Sequence, residues 1–265
     1  MPPPTLSADA IRVGYHDRTV IDGLSFAVPD GKFTAIVGPN ACGKSTLLRA
    51  LGRMLRPEAG QIVLDGVEIS TLRSKVFARS VGLLPQSPIT PDAITVGDLV
   101  SRGRYPHQSL LRQWSSDDER IVDEALDEVG MSGFADRMVD ELSGGQRQRV
   151  WIAMSLAQQT GILLLDEPTT FLDISHQIDV LDLCARLTKR GRTVVAVLHD
   201  LNLAARYADH MVAMHEGSII AEGEAERVIT PDVLHRAYAL DAIVLADPET
   251  GRPLVVPKLR QERSA

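Results

Sequence analysis

Along the 265 residues, short apolar runs alternate with stretches of helical periodicity. That alternation predicts a largely parallel sheet covered by helices. Residues 6–34 read as antiparallel strands and turns ahead of that core. Phe33-Thr34-Ala35-Ile36-Val37 predicts a buried strand leading into a glycine-rich turn. The next segment places Leu47, Leu48, Leu51, Met54 and Leu55 on one helical face, with Pro57 as the stop. Gln61 to Asp65 returns as a strand.

The texture changes after about residue 87, where Pro88, Pro91 and Asp92 mark a loop. Thr95-Val96-Gly97-Asp98 has the spacing of a capping box opening a helix. From there to about residue 158 the pattern is helical and polar-rich, without a strand. Strand–helix alternation resumes at Ile162 and again at Thr193. Met211 to Glu222 predicts a hairpin turning at Glu216-Gly217, followed by a short helix from about Pro231 and a strand at Ala242 to Leu245. The expected organisation is one α/β domain over residues 6–257. Residues 6–87 and 159–257 form the core and its N-terminal antiparallel β subdomain, and 88–158 form an inserted helical lobe. Residues 1–5 and 260–265 are expected to be disordered ends.

Composition narrows the function classes. Hydrophobic residues are 44% and charged residues 24%, as in ordinary globular proteins. Aromatics are 4%, so the core must be built from Leu, Val, Ile, Ala and Met. A net charge of -7 argues against a nucleic-acid-binding surface. Two isolated cysteines, Cys42 and Cys184, make no disulfide framework and fit a reduced compartment. Runs such as Val194-Val195-Ala196-Val197-Leu198 are too short to cross a bilayer. Met1 to Thr5 lack the basic and apolar regions of a signal peptide. Service at a membrane therefore requires docking on other chains.

Three motifs carry chemistry. Gly38-Pro39-Asn40-Ala41-Cys42-Gly43-Lys44-Ser45 matches a phosphate-binding loop, with a strand before it and a helix after it, and Thr46 completes the nucleotide-binding stretch. Such a loop turns backbone N–H groups inward around a phosphate, and the helix adds the positive end of its dipole. Lys44 would reach the terminal phosphates and the Ser45 hydroxyl would ligate Mg²⁺. Ile162-Leu163-Leu164-Leu165-Asp166-Glu167 is a buried strand ending in two acids at its carboxyl edge. Asp166 is placed to hold Mg²⁺, and Glu167 to polarise a water attacking a γ-phosphate. In Leu142-Ser143-Gly144-Gly145-Gln146, the residues Ser143, Gly144 and Gly145 cap a helix read from Arg147 to about Ala157. That makes a second anion site, remote in sequence from the first.

Together these motifs resemble the nucleotide-binding subunit of ABC transporters, in which Leu-Ser-Gly-Gly-Gln is the family signature. The resemblance runs over roughly residues 6 to 257, with every motif present once and in family order. It implies a phosphate-loop NTPase core and an ATPase using ATP and Mg²⁺. It further implies a homodimer in which each ATP is sandwiched between the phosphate loop of one subunit and Ser143 to Gln146 of the other. It adds Tyr15 as the aromatic stacking on adenine, Gln86 as the sensor of Mg²⁺ and water, Asp173 as the acid facing the partner, and His199 as the γ-phosphate switch. Ala41 departs from the glycine the family most often has there; at positive φ it would cost on the order of 1 kcal/mol. Cys42 reads first as a small side chain filling the loop; its place near a helix N-terminus, where thiol pKa falls, adds the alternative that it alkylates readily and is shielded by ATP.

Ser101-Arg102-Gly103-Arg104-Tyr105-Pro106-His107, the stretch from Asp166 to Gln177, and Asp247-Pro248-Glu249-Thr250-Gly251-Arg252-Pro253-Leu254 are similar to the subfamily serving iron-siderophore, haem and cobalamin importers. That implies two separate integral-membrane permease subunits, a substrate-binding lipoprotein acting indirectly, a peripheral position on the cytoplasmic face, and ferric siderophore as cargo. The competing readings are a non-transport ABC-type ATPase, an importer ATPase for another cargo, a phosphate-loop kinase, and a cassette that binds ATP without hydrolysing it. No heptad run, zinc-type cysteine cluster or second cassette supports the first. The signature at Ser143 and the switch at His199 disfavour a kinase, and intact Glu167 and His199 disfavour the last.

Overall fold

The computed structural model describes residues 5–16, 18–108, 114–170 and 172–259. Of the ends expected to be disordered, residues 1–4 and 260–265 lie outside the described residues, as does Phe171. In chain order the elements are β1 (Leu6–Tyr15), β2 (Arg18–Ala27), β3 (Phe33–Val37), α1 (Lys44–Leu51), β4 (Ala59–Leu64), β5 (Val67–Glu68), α2 (Ser74–Ser80) and β6 (Val81–Leu84). Then follow α3 (Val96–Ser101), α4 (Ser116–Glu128), α5 (Gly144–Ala157), β7 (Ile162–Asp166), α6 (Ile174–Lys189), β8 (Thr193–Val197) and α7 (Leu201–Tyr207). The chain ends with β9 (His210–His215), β10 (Ser218–Gly223), α8 (Ala225–Val228), α9 (Pro231–Tyr238), β11 (Ala242–Ala246) and β12 (Pro253–Pro257).

The central sheet has the order β10-β9-β3-β8-β7-β6, parallel from β9 to β6, with β10 antiparallel at one edge. An antiparallel sheet of order β2-β1-β4-β5 lies over it, and β11 and β12 form a separate hairpin. The mostly parallel sheet and the N-terminal antiparallel subdomain are both as the patterning predicts. The apolar runs are unbroken because both faces of the central strands are covered. Phe33, Ala35, Leu163, Leu165, Val194 and Ala196 face one core, shared with α3, α4, α5 and α6. Ile36, Ile162, Leu164, Val195 and Val197 face a second core, shared with α1 and the antiparallel sheet.

Two helix boundaries differ from the sequence reading. Helix α1 ends at Leu51, well before Pro57, and Met54 is exposed. Arg53 adopts φ 60, its N–H donates to Ala50, and the Met54 N–H donates to Arg49. This is a Schellman stop, and it leaves the remaining apolar residues outside the helix. Helix α5 starts at Gly144, three residues earlier than read. Ser143 Oγ accepts from the Gln146 N–H at 3.3 Å and Gln146 Oε1 accepts from the Ser143 N–H at 3.0 Å, a reciprocal capping box. At Thr95 the Oγ1 accepts from the Asp98 N–H, so α3 opens where the spacing places it. The β9–β10 turn runs through Glu216 at φ 45 and Gly217 at φ 77, both positive as a two-residue hairpin turn requires.

Within the stretch from Ser101 to His107, Gly103, Arg104 and Pro106 are buried, while Tyr105 is exposed. Arg104 is 4% exposed; it donates to Asp118 at 2.8 Å, to the Ala157 carbonyl at 2.7 Å and to Gln159 Oε1 at 3.1 Å. His107 Nε2 meets the Gln158 carbonyl at 2.8 Å. These contacts tie α4 to the end of α5. Arg104→Lys keeps the charge but loses the forked geometry, and is expected to cost about 1–2 kcal/mol in a denaturant titration.

Candidate functional site

The strand order decides where the chemistry gathers. β3, β8, β7 and β6 are consecutive neighbours and parallel, so their carboxyl ends share one edge. β3 runs into the phosphate loop, β8 is followed by His199, β7 ends on Asp166 and Glu167, and β6 is followed by Gln86. A cleft of about 590 Å³ opens there, lined by Tyr15, Arg18, Val20, Asn40, Ala41, Gly43, Lys44, Ser45, Thr46, Gln86, Glu167 and His199.

The loop geometry follows from close approach. Gly38 has φ 154, and a Cβ there would lie 2.3 Å from the Met214 carbonyl and 2.7 Å from Cys42 Sγ. Gly43, with φ 107, caps α1 in a left-handed conformation. Lys44 is 5% exposed, and its Nζ donates to the carbonyls of Gly38 at 2.9 Å and Pro39 at 2.7 Å. The ammonium is thereby held within the loop's own curve. Asn40, Ala41 and Thr46 line the cleft beside it, whereas Pro39 and Cys42 lie on the loop's far side toward α9.

Ala41 has φ 62, the left-handed backbone that its departure from glycine brings into question. Its strain is about 1 kcal/mol. Ala41→Gly would relieve that strain but enlarge the unfolded ensemble by a similar amount. The net change in thermal or denaturant stability is therefore expected to stay within about 0.5 kcal/mol.

The surroundings of Cys42 favour the loop-filling reading over the reactive thiol. The residue is 4% exposed and packs into the second core. Burial pushes its thiol pKa up; the Lys44 charge and nearby backbone amides pull the other way and do not prevail. The helix N-terminus is present, but desolvation of the thiolate outweighs it. Alkylation by iodoacetamide at neutral pH is expected to be at least about tenfold slower than for a free thiol, with or without nucleotide. Rapid labelling that ATP blocks would restore the reactive-thiol reading.

Around β7 the two acids occupy different environments. The Asp166 side chain is fully buried; Oδ1 accepts from Ser45 Oγ at 2.7 Å, and Oδ2 faces the Arg49 Nε at 3.6 Å with no hydrogen-bond partner. Burial raises its pKa, against the Ser45 hydrogen bond and the Arg49 charge. A buried, unpaired carboxylate oxygen beside a serine hydroxyl fits Mg²⁺, which takes one or two protein oxygens and completes its shell from substrate phosphates and water. Ser45 and Asp166 would hold the ion, whereas Gln86, the third expected metal contact, donates its amide to Glu167.

Glu167 sits at φ 56, a strained backbone of the kind that collects at functional sites. Its Oε1 accepts from His199 Nε2 at 2.8 Å; its Oε2 accepts from Gln86 Nε2 at 2.7 Å and Thr170 Oγ1 at 3.0 Å. Partial burial would raise its pKa, but the donors from His199, Thr170 and Gln86 outweigh it and hold the carboxyl below the usual range. An ionised carboxylate only accepts, so the His199 proton in this pair resides on Nε2.

Two contributors escape sequence reading. Thr170, a third donor to Glu167, carries no motif signal of its own. Arg49 lies one helical turn after Ser45, reaches Asp166, and donates to the Tyr15 hydroxyl at 3.3 Å; its signal is only the i, i+4 spacing. Tyr15 itself is 38% exposed at the cleft.

The remaining predicted residues are not brought into the cleft. Asp173 caps α6, accepting from the His176 N–H at 2.9 Å and meeting His176 Nδ1 at 2.6 Å. Ser143 to Gln146 sit beside that segment: a Cβ on Gly145 would meet Leu172 at 3.5 Å and His176 at 3.8 Å. Gln148 Nε2 donates to the Pro168 carbonyl at 3.2 Å. One chain thus presents a phosphate cleft and a separate signature surface.

Comparison with known proteins agrees with this geometry. The sequence profile of the ABC transporter family matches residues 21–170. The chain is 52% identical over 253 residues to the ferric enterobactin transport ATP-binding protein of Escherichia coli (strain K12), covering 95% of this chain and 93% of that one. It is 47% identical to the iron(3+)-hydroxamate import ATP-binding protein of Bacillus subtilis (strain 168), covering 94% and 93%. A solved metal-chelate type ABC transporter in an inward-facing conformation superposes with a TM-score of 0.81 at 30% identity, covering 97% and 98%. A dimeric bacterial ABC transporter cassette superposes with a TM-score of 0.75 at 26% identity, covering 83% and 98%. The phosphate loop, the acids of β7 and the signature turn thus sit on a shared fold, and the chain belongs to the ABC transporter family, among its nucleotide-binding, ATP-hydrolysing subunits.

Proposed function

We propose that two copies of this chain close head to tail on two ATP molecules and power uptake of a ferric siderophore through separate permease subunits. The observation that carries the pairing is the division of one chain into a phosphate cleft and a signature surface whose residues do not line it. A second copy turned about a two-fold axis would bring Ser143 to Gln146 against the γ-phosphate, with Asp173 and Tyr15 at the same seam. Residues 88–158 act as the helical signature lobe of that arrangement.

ATP is held by the loop amides from Asn40 to Thr46 and by Lys44, with Tyr15 under the adenine. Ser45 and Asp166 would hold Mg²⁺, which would supply charge neutralisation for the phosphates. Glu167 is the base for the attacking water. In this structure its acceptor sites are engaged by three donors, which keeps it ionised but weakly basic. A γ-phosphate that draws away His199 and Gln86 frees the carboxylate, so base strength rises only when substrate is seated. Hydrolysis then removes the bridge between subunits, and opening drives the permease.

The permease would dock on the face carrying Asp98, Ser101, Arg102, Tyr105, Gln108 and Trp114, which lines a groove of about 600 Å³. Tyr105 is 66% and Trp114 47% exposed there, an aromatic pair suited to a protein interface. Among the described residues no helix is long and apolar enough to cross a membrane. Through those permease partners the chain would work at the cytoplasmic membrane face, as an ATP-binding subunit like its relatives, with a binding lipoprotein delivering cargo from the other side. Ferric siderophore is named because proteins about half identical to this chain carry such cargo in their names. The test is ATP turnover by the chain reconstituted with its permease and binding protein. Ferric hydroxamate or catecholate complexes are expected to stimulate turnover; stimulation by cobalamin or haem alone would overturn the cargo assignment.

A further inference from the structure

We propose that the carboxy-terminal hairpin is a positioning element for His199, acting through Asn202, Arg206 and Asp247. The motif from Asp247 to Leu254 touches neither the cleft nor the signature surface, so nucleotide binding leaves it unexplained. Its contacts go instead to α7, the helix that begins two residues after His199.

Helix α7 has seven residues, too few to persist without outside support. Its fully buried side chains are Ala204 and Ala205; Leu201, Leu203 and Tyr207 are partly buried against the first core, and Asp200 caps its start. On the side of α7 turned toward β12 the hairpin adds polar restraint at three levels. Near the start, Asn202 Oδ1 accepts from the Val255 N–H at 2.7 Å, and Asn202 Nδ2 donates to the Val255 carbonyl at 3.3 Å. The side-chain amide thus takes both backbone groups of one β12 residue, as a neighbouring strand would. Toward the end, Arg206 donates through Nε and a terminal nitrogen to Asp247 Oδ2 at 3.0 and 2.8 Å. Asp247 is 5% exposed, and its Oδ1 accepts from the Glu249 and Thr250 N–H groups at 2.9 and 3.4 Å. Just past α7, Arg252 donates to the Ala208 carbonyl at 3.1 Å.

On its other side His199 is fixed by the sheet, where the Leu198 N–H donates to Ile36 at 3.0 Å. Only His199 and Asp200 lie between that anchor and α7. The tilt of α7 therefore sets where the half-exposed imidazole points, and its contact with Glu167 is a single one at 2.8 Å. A displacement of about 1 Å in a group near the reacting atoms costs on the order of 10²-fold in rate.

The inference rests on the ATPase assignment, which wild-type turnover in the same assay tests separately. Asn202→Ala and Asp247→Asn in the full chain are expected to lower kcat by about tenfold, with the KM for ATP changed less than about twofold. Arg206→Lys, which keeps the charge, is expected to retain most of the rate. In a His199→Ala background the same substitutions should cause no further loss, because the group they position is gone. Wild-type kcat in N202A and D247N would overturn the proposal. So would an equal loss with and without His199, which would mark the hairpin as general support. Should D247N fail to fold, N202A decides alone, since it removes one amide and no charge.

Discussion

Glu167→Gln is expected to lower ATP turnover by about 10²- to 10⁴-fold while leaving ATP bound and the subunits paired, as loss of a general base would. Glutamine keeps the volume and one carbonyl acceptor, so the strained backbone at φ 56 and most of the packing persist. What it loses is specific. The carboxylate takes donors from His199, Gln86 and Thr170. An amide offers an N–H₂ on one side, so at least one of those donors meets a donor instead. Nucleotide contacts at Lys44 and Ser45 do not pass through Glu167 and should survive. Phosphate release under single turnover measures the first effect, and ATP-dependent dimer on a sizing column the second. Normal turnover would remove Glu167 from the role of base.

Lys44→Ala is expected to weaken ATP binding by about 10²-fold or more, since each charge-assisted hydrogen bond to phosphate contributes roughly 1.5–3 kcal/mol. The substitution also withdraws the donor shared by the Gly38 and Pro39 carbonyls, which sit 2.9 and 2.7 Å from Nζ. Equilibrium binding of a fluorescent ATP analogue reads the affinity. A thermal melt of the nucleotide-free chain reads the loop: a drop of a few degrees, consistent with about 1 kcal/mol, would show that Lys44 also holds the loop's shape. Unchanged affinity would mean that backbone amides alone bind the phosphates.

The two variants separate steps that the sequence presents side by side. Lys44 and Ser45 belong to a contiguous motif, so binding was legible from the loop and its flanks. Glu167 follows Asp166 directly, yet the two differ in structure: Asp166 is fully buried with an unpaired oxygen, and Glu167 is hydrogen-bonded three times. No spacing rule distinguishes those environments, because they depend on α1, β6 and β8 packed around β7.

Other misses have the same origin. Cys42 stands where a helix dipole favours a thiolate, but the second core closes over it and desolvation prevails. The periodicity of Leu47 to Leu55 continues past the point where α1 stops, because Arg53 takes a left-handed conformation that glycine usually supplies. Thr170 lies inside the stretch from Asp166 to Gln177 and Arg49 one turn after Ser45, and neither pattern assigns the role each acquires by reaching Glu167 and Asp166. Ser101 to His107 is legible only as a family likeness, and the burial of Arg104 against Asp118 comes from packing with α4 and α5.

By itself the sequence determined the local pieces: buried strands in which apolar residues run unbroken, a glycine turn that can wrap a phosphate, and acids at a strand end. It also determined that two anion-binding turns exist, because each is a short contiguous motif with its own backbone geometry. Which strands are neighbours was decided by the tertiary structure alone, since parallel pairing joins segments far apart in the chain and leaves no local signature. The order β3-β8-β7-β6 sets Lys44, His199, Glu167 and Gln86 at one edge, although they span residues 44 to 199. The same packing turned Glu167 into a carboxylate held by three donors, and set the Asp247 motif against the helix behind His199.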